Sequence, residues 1–546
     1  MPNDNDVIFM TSFFGDEMSI PKSVVQNSFN KFLGHENCLI DSRAQAIDWL
    51  TQILSVLKEE IIQWLQKTDS NQAIKDLYLI LDKCYRFHMA QKEARKQLVV
   101  LNITHEDILN LFSENRNIAL TIINSVNLWL ENSLIFQHSV DNIPSDDSSA
   151  ENKDLLIKLY LYGLVSKNLS LLAMSKKFGV QELFYGINVN LQKNEPIEAI
   201  RYHPIIYFNP ALTGNQDVFD VKAQDYLSVD TLPFGRGFQD LHQISFLMSL
   251  RTMSTFQAEL LKDGQYAHVV IDKEHFLSLV TEYTSGIVDS KNFFDAFVLT
   301  KENISSQLQK GDDIIWKMGV NKYRHEIRPF ICLENNMVAI SYAALDQTKN
   351  LWLSYFANGG MIYSNYKDQL TEAIFDRNEE LSKQLVSIIR NKLRCHYTAS
   401  VDEIDVKYDR IFGTKEYDYG DYDLIFYTPE TKELFLIEAK FFSDSLNNSG
   451  IINDYEKLFR ENGYYIHCRN RCDLAINEID KLKKFLGVSG KITTHFLFIS
   501  SKPLEIEFTD NDGIVSFPCL SIFDSYIKGD LISEDGSETI RPTHVL

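Results

Sequence analysis

The sequence predicts a multidomain chain with an α-helical N-terminal region, a mixed α+β middle region and a C-terminal α/β region. Three observations carry this. Apolar residues recur every three or four positions from about residue 40 to 135. From about 155 to 370, strand-like runs and helical stretches mix without one dominant period. Beyond 371, an amphipathic helix is followed by a strand hairpin, a further helix and a continuous apolar run. With 546 residues, 45% of them hydrophobic, the chain is long enough for roughly three domains, each with its own core.

In the first region Ile47, Leu50, Leu54, Leu57, Ile61 and Leu65 form one stripe, and Leu77, Leu81 and Cys84 begin a second. Such stripes build a helical bundle or layer and by themselves indicate no function. The polar, acidic segment Ser139 to Asp154 has the composition of an exposed linker. It divides the chain into a helical region, 1–140, a mixed region, 155–370, and a C-terminal domain, 371–546.

In the middle region Ile205 to Phe208 and Ala267 to Ile271 read as strands, the second leading into a helix at Lys273 to Phe276. Arg328 to Leu333 and Met337 to Ile340 read as a hairpin with an asparagine turn. No Gly-x₄-Gly-Lys-Ser/Thr loop is present. Gly235-Arg236-Gly237 and Gly359-Gly360 lack strand-to-helix flanks and read as loop turns, so nucleotide hydrolysis is not expected. His-Glu-x-x-His and Gly-x-Ser-x-Gly are also absent, which removes the commonest zinc-protease and serine-hydrolase readings.

The C-terminal region carries the chemistry. Gly420-Asp421-Tyr422-Asp423 opens an apolar run, Leu424 to Tyr427, and a polar turn containing Pro429 leads to a second run, Leu434 to Ile437, closed by Glu438-Ala439-Lys440. Pairing the runs antiparallel brings Asp423 beside Glu438. Strand alternation puts Lys440 on the same face as Glu438. Two carboxylates and a lysine suit metal-dependent phosphodiester hydrolysis. Hard Mg²⁺ takes oxygen ligands and keeps several waters. The metal acidifies a bound water and neutralises charge on the phosphate, and a nearby ammonium adds to that field. Other acid-x-Lys triplets, Asp220 to Lys222, Asp289 to Lys291 and Asp405 to Lys407, do not close an apolar strand with such an approach upstream. A solvated hairpin end with a surface ion pair is the alternative account of Asp423, Glu438 and Lys440.

This arrangement resembles the PD-(D/E)xK, or restriction endonuclease-like, nuclease superfamily over the C-terminal third of the chain. The resemblance implies an αβββαβ core. It further implies that Asp423, Glu438 and the Ala439 backbone carbonyl hold Mg²⁺ or Mn²⁺, while Lys440 orients or deprotonates the attacking water. The helix at 378–390, with Leu381, Leu385, Ile388 and Ile389 at helical spacing, stands where superfamily members often carry a supporting glutamate. Glu380 is the candidate, with Glu379 as its neighbour. Both are equally suited to complementing a helix dipole. Downstream, a helix from about Asp473 to Leu486, a buried strand from Thr494 to Ile499, a short strand from Gly513 to Phe517 and a terminal helix from Leu520 complete the expected order. The Gln-x-x-x-Tyr motif of many DNA-repair members is missing, which sets the chain apart from that branch.

A net charge of −21 disfavours coating of DNA by charge alone. Any basic surface has to be local, and Arg469, Arg471, Lys481, Lys483, Lys484 and Lys491 supply one. Arg469, Arg471, Lys481 and Lys484 are the candidate nucleic-acid contacts, with an ordinary solvated helix face as the equal alternative. Seven cysteines suit a reducing compartment. His467, Cys468 and Cys472 with Cys395 and His396 lack the short Cys-x₂-Cys spacing of structural zinc. No export signal or membrane-length apolar run is seen, so a cytoplasmic protein is expected. The expected substrate is DNA, with RNA second, and a homodimer would suit double-strand cleavage. The large N-terminal region is expected to regulate the nuclease or bind a partner, in the manner of restriction or anti-phage systems.

Overall fold

The computed structural model describes residues 7–10, 19–21, 39–40, 43–101, 106–136, 148–178, 182–184, 188–190, 226–262, 268–308, 323–359, 369–414, 419–442, 454, 457–504, 506, 508–510, 512–532 and 539–546. At the front, β1 (Val7–Met10) pairs antiparallel with β2 (Ser19–Pro21). β3 (Leu39–Ile40), β4 (Glu182–Phe184) and β5 (Asn188–Asn190) form a second small antiparallel sheet. Four long helices dominate this region: α1 (Arg43–Lys67), α2 (Ser70–Val100), α3 (Glu106–Ser133) and α4 (Ser148–Phe178). Asp69 starts α2 by accepting from the amides of Asn71 (2.9 Å) and Gln72 (3.3 Å). The stripes legible in the sequence are the buried faces, from Leu50 to Leu65 on α1 and Leu77, Leu81 and Cys84 on α2.

The expected linker at 139–154 is only partly a linker candidate in the fold. Residues 139–147 lie outside the described residues, but Ser148 to Asp154 form the first turns of α4. Leu155, Leu156 and Leu159 follow at once as core residues shared with α1, α2 and α3. The helical region therefore runs to Phe178, and the division at 140–155 does not separate two cores. The strand expected at 205–208 lies outside the described residues.

Next come α5 (Pro233–His242), α6 (Phe246–Leu260), β6 (His268–Asp272), α7 (Lys273–Tyr283), α8 (Ser290–Phe297), β7 (Val298–Leu299), α9 (Lys301–Leu308), β8 (Phe330–Cys332), β9 (Met337–Ser341) and α10 (Tyr342–Asn358). The strands form one sheet in the order β6-β9-β8-β7. The β8–β9 hairpin turns through Asn336, whose φ of 59° is one that asparagine tolerates. Alternation splits this sheet between two layers. Ile331, Leu333 and Ala339 share a core with α1 to α4. Phe330, Val338 and Ile340 pack under Phe256, Phe276, Phe293 and Trp352 on the other side. The helical region and the middle sheet are thus continuous in packing. Asp289 of the Asp-Ser-Lys triplet is spent as a helix cap, accepting from Asn292 N at 2.8 Å.

Gly235 and Gly237, read as a loop turn, stand within α5 instead, and Gly360 lies outside the described residues. A Cβ on Gly237 would stand 2.5 Å from Leu370 N, so its absence lets the next long helix approach. Gly359 ends α10 in the left-handed conformation. That next helix, α11 (Gln369–His396), buries Leu370, Ala373 and Ile374 in the middle core and Leu385, Ile389 and Leu393 in the C-terminal core.

The C-terminal region continues with β10 (Val401–Lys407), α12 (Tyr408–Phe412), β11 (Asp421–Thr428), β12 (Glu433–Lys440), α13 (Tyr464–Asn477), α14 (Ile479–Leu486), β13 (Thr493–Ser500), α15 (Phe523–Lys528) and β14 (His544–Val545). Its sheet order is β10-β11-β12-β13-β14. All neighbours are antiparallel except β12 and β13, whose parallel pairing needs the helical crossover α13–α14. Two expectations are corrected in detail. The single helix expected from Asp473 begins at Tyr464 and breaks at Glu478 into α13 and α14. The expected strand at 513–517 is reduced to isolated bridges of Ser516 to Leu497 and Thr509, because Gly513 turns the chain and Pro518 cannot donate to a ladder.

Candidate active site

The β11–β12 register sets the site. Leu424 pairs with Ile437, and the next residues outward are Asp423 and Glu438. Ala439 packs in the cluster beneath α11, so its neighbours Glu438 and Lys440 face the other way, toward α13. Asp423, Glu438 and Lys440 meet there. Lys440 Nζ lies 2.6 Å from Glu438 Oε1 and 3.2 Å from Asp423 Oδ2. Ala439 enters the cluster through its amide, which donates to Asp423 Oδ2 at 2.7 Å. The Tyr464 ring lies 5.5 Å from Lys440 Nζ, in range of a cation–π contact.

Arg471 reaches the same carboxylate from α13. Its Nη2 donates to Glu438 Oε2 and its Nη1 to the Tyr419 carbonyl. Its side chain is 3% exposed and that of Glu438 6%. The Tyr422 hydroxyl in turn donates to the Arg471 carbonyl at 2.9 Å, and the Tyr422 ring lies 5.5 Å from the guanidinium. Gly420, at φ 72°, gives the chain its bend beside Arg471, whose Nη1 would be 3.0 Å from a Cβ there. Arg471 was read in the sequence as a phosphate contact. It is corrected to a buried partner of Glu438, because a guanidinium at this burial needs a carboxylate of its own.

The other candidates separate from the cluster. Leu385, Ile389 and Leu393 of α11 pack against Ile437 and Ala439 on the opposite face of the sheet. Glu380 on that helix is half exposed and holds Arg377 at 2.7 Å and Gln384 at 3.0 Å. Glu379 is exposed and pairs with Lys383 at 2.9 Å. The structure thus leaves both glutamates out of the cluster. Arg469 is taken by Asp473 (3.0 Å), Asp510 (2.8 Å) and Asp512 (3.0 Å), which corrects its reading as a phosphate contact. Lys481 is exposed and pairs with Glu478 at 3.1 Å, and Lys484 is exposed on α14. Cys468 and Cys472 are buried one turn apart on α13, whereas Cys395 is exposed at the end of α11.

Electrostatics follow from burial and pairing. Burial, then the neighbouring Glu438, raises the Asp423 carboxyl above its ordinary range, with Lys440 opposing. Burial alone would lower Lys440, but Glu438 and Asp423 outweigh it and hold the ammonium above the ordinary lysine range. Among the described residues no group of three or more His, Cys, Asp or Glu side chains converges as a metal cage. The donor set still fits a hard cation. Oxygens from two strands already converge on one positive charge, and Mg²⁺ completes its shell with water and substrate oxygens.

Among the described residues no helix is long and apolar enough to cross a membrane. Comparison of the chain with family models, curated proteins and solved structures finds no match in any of the three.

Proposed function

We propose that the C-terminal domain is a divalent-metal-dependent nuclease acting on DNA, as its resemblance to PD-(D/E)xK enzymes implies. The observation that carries this reading is the convergence of Asp423 and Glu438 on Lys440 Nζ, at 3.2 and 2.6 Å, on one sheet face. The order of α11, three antiparallel strands, the α13–α14 crossover and a parallel β13 supports it as an αβββαβ arrangement.

In this reading Asp423 and Glu438 would hold Mg²⁺ or Mn²⁺, and the metal when bound would supply a more acidic water and neutralise charge on the phosphate. The Ala439 amide fixes the Asp423 carboxylate in place. Lys440, 2.6 Å from Glu438 and 3.2 Å from Asp423, stands as a positive charge toward phosphate oxygens. A role in anti-phage or restriction-type defence rests on the resemblance and on the large appended N-terminal region alone.

A second reading, a silent nuclease-like scaffold, is favoured by one observation. Arg471 and Lys440 balance Asp423 and Glu438 charge for charge, which weakens the pull on a cation. Incubating the full chain with supercoiled plasmid, single-stranded DNA and RNA in Mg²⁺, Mn²⁺ or EDTA separates the two. Cleavage that needs metal and is lost in Asp423→Asn and Lys440→Gln supports the nuclease. Folded wild type that cuts nothing and binds no Mn²⁺ supports the scaffold.

A further inference from the structure

We propose that Arg471 is a positioning residue that occupies Glu438 Oε2, so that the site accepts a single divalent cation through Glu438 Oε1 and Asp423. This rests on the nuclease reading and deepens it, since phosphodiester hydrolysis is done with one metal or with two held a few ångströms apart. A carboxylate commonly serves two metals by giving each of them an oxygen.

Glu438 has no such freedom. Lys440 Nζ is 2.6 Å from Oε1, and Arg471 Nη2 donates to Oε2. The lysine is on a flexible stem and a quarter exposed, so it can yield its place to a metal. Arg471 cannot do the same. Its Nη1 is bound to the Tyr419 carbonyl, its own carbonyl accepts from Tyr422, and α13 carries it into the core between Cys468 and Ala475. The segment from Tyr419 to Tyr422, which enters β11 at Asp421, leads directly into Asp423. Arg471 therefore holds both arms of the hairpin, one at Glu438 and one just before Asp423. The contacts to Tyr419 and Tyr422 anchor Arg471, and the anchored guanidinium holds Glu438 at Oε2. A second cation on the Oε2 side would have to stand where the guanidinium stands, in contact with like charge.

The test is a Mn²⁺ titration of the full chain, followed by calorimetry and by electron paramagnetic resonance of the bound ion. A single bound Mn²⁺ without Mn–Mn coupling is expected. Arg471→Lys keeps the charge but cannot span Glu438 and Tyr419 together, and it is expected to weaken Mn²⁺ binding by roughly tenfold or more, the usual scale for groups that orient a ligand. An arginine with only a structural role would lower the melting temperature and leave the affinity of the folded protein unchanged. Two coupled Mn²⁺ ions in wild type, or an unchanged affinity in folded Arg471→Lys, overturns the inference and leaves the nuclease reading standing. Wild type that binds no Mn²⁺ overturns both.

Discussion

The guanidinium of Arg471 donates to Glu438 Oε2 although the two residues lie 33 positions apart in the chain. It joins the crossover helix to the strand that ends in Lys440. Because both partners are almost fully buried, the pair is an all-or-nothing arrangement. Removing one partner strands the other charge in the interior.

Arg471→Ala is therefore expected to cost about 3–5 kcal/mol of stability, the usual range for breaking a buried pair from one side. Urea denaturation of wild type, Arg471→Ala, Glu438→Gln and the double variant checks this. The double variant should lose less than the sum of the singles. Strict additivity would show that the two residues contribute independently.

Lys440 separates an electrostatic role from a proton-transfer role. If its charge is what matters, Lys440→Arg keeps at least tenfold more metal-dependent cleavage than Lys440→Gln, a gap within the range of one charged donor in a dry site. Equal loss in both, together with a rate that climbs with pH through the lysine range in wild type, would restore the lysine as base. Initial cleavage rates between about pH 6 and 11 decide it.

Much of this region was legible because it follows simple periods. The β11–β12 hairpin shows two apolar runs around a polar turn, and the turn is closed by Lys432 at φ 58°. The acid-x-Lys triplet at 405–407 failed as a site for a local reason: Asp405 sits at φ 53° in an edge strand, and Lys407 precedes α12. The first half of α13 was missed because charge interrupts its buried face. Arg471 stands between Cys468 and Ala475 at helical spacing, where an apolar residue is expected, and its partner is far away in sequence. Arg469 looked like a basic surface because the buried Asp510 that receives it lies 41 residues on. Pairing at long range is what composition and period do not record.

Gly420→Ala tests the approach to Asp423. An alanine at φ 72° is strained, and its Cβ would press on Arg471 Nη1. A loss of about 1–2 kcal/mol is expected from the backbone alone. Thermal unfolding reads that part. Mn²⁺ affinity reads the displacement of Arg471 and is expected to fall as well. Unchanged affinity would show that the bend serves only the chain path.

At the end of β12 opposite Lys440, Glu433 carries a contribution to acid stability. Its Oε1 lies 2.9 Å from Arg541 Nη2 and 3.3 Å from His495 Nε2, and its Oε2 accepts from Thr431 at 2.7 Å. Burial alone would raise this carboxyl, but His495, Thr431 and Arg541 bring it down to about 2 from an ordinary 4.5. The folded value lies below the unfolded one, so this contribution is complete above pH 4.5 and is lost as pH falls toward 2. Burial holds His495 below its ordinary 6.5, and its contribution has the same sense, full above 6.5 and declining as pH drops. Glu433→Gln should flatten the fall in stability between pH 4.5 and 2 in urea titrations. An unchanged acid limb would place the acid sensitivity elsewhere.

Asp82 ties the helical layer to the middle sheet. It is 2% exposed on α2 and accepts from Ser341 Oγ (2.7 Å) and Ala343 N (3.0 Å), with His268 Nδ1 at 3.3 Å. Ser341 is also the cap of α10, accepting from Ala344 N at 3.2 Å, so one carboxylate supports a helix start and two strand ends. Tyr78 and Tyr85 extend the seam, the first to the Pro329 carbonyl at 3.2 Å and the second to Asp346 at 2.5 Å. Asp82→Ala leaves these donors without an acceptor and is expected to cost about 2–3 kcal/mol. The double-variant cycle with Ser341→Ala should give a coupling of at least about 0.5 kcal/mol if the bond itself carries the effect. Zero coupling, with each single variant still destabilised, would assign the loss to packing around the two side chains and not to the bond across the layers.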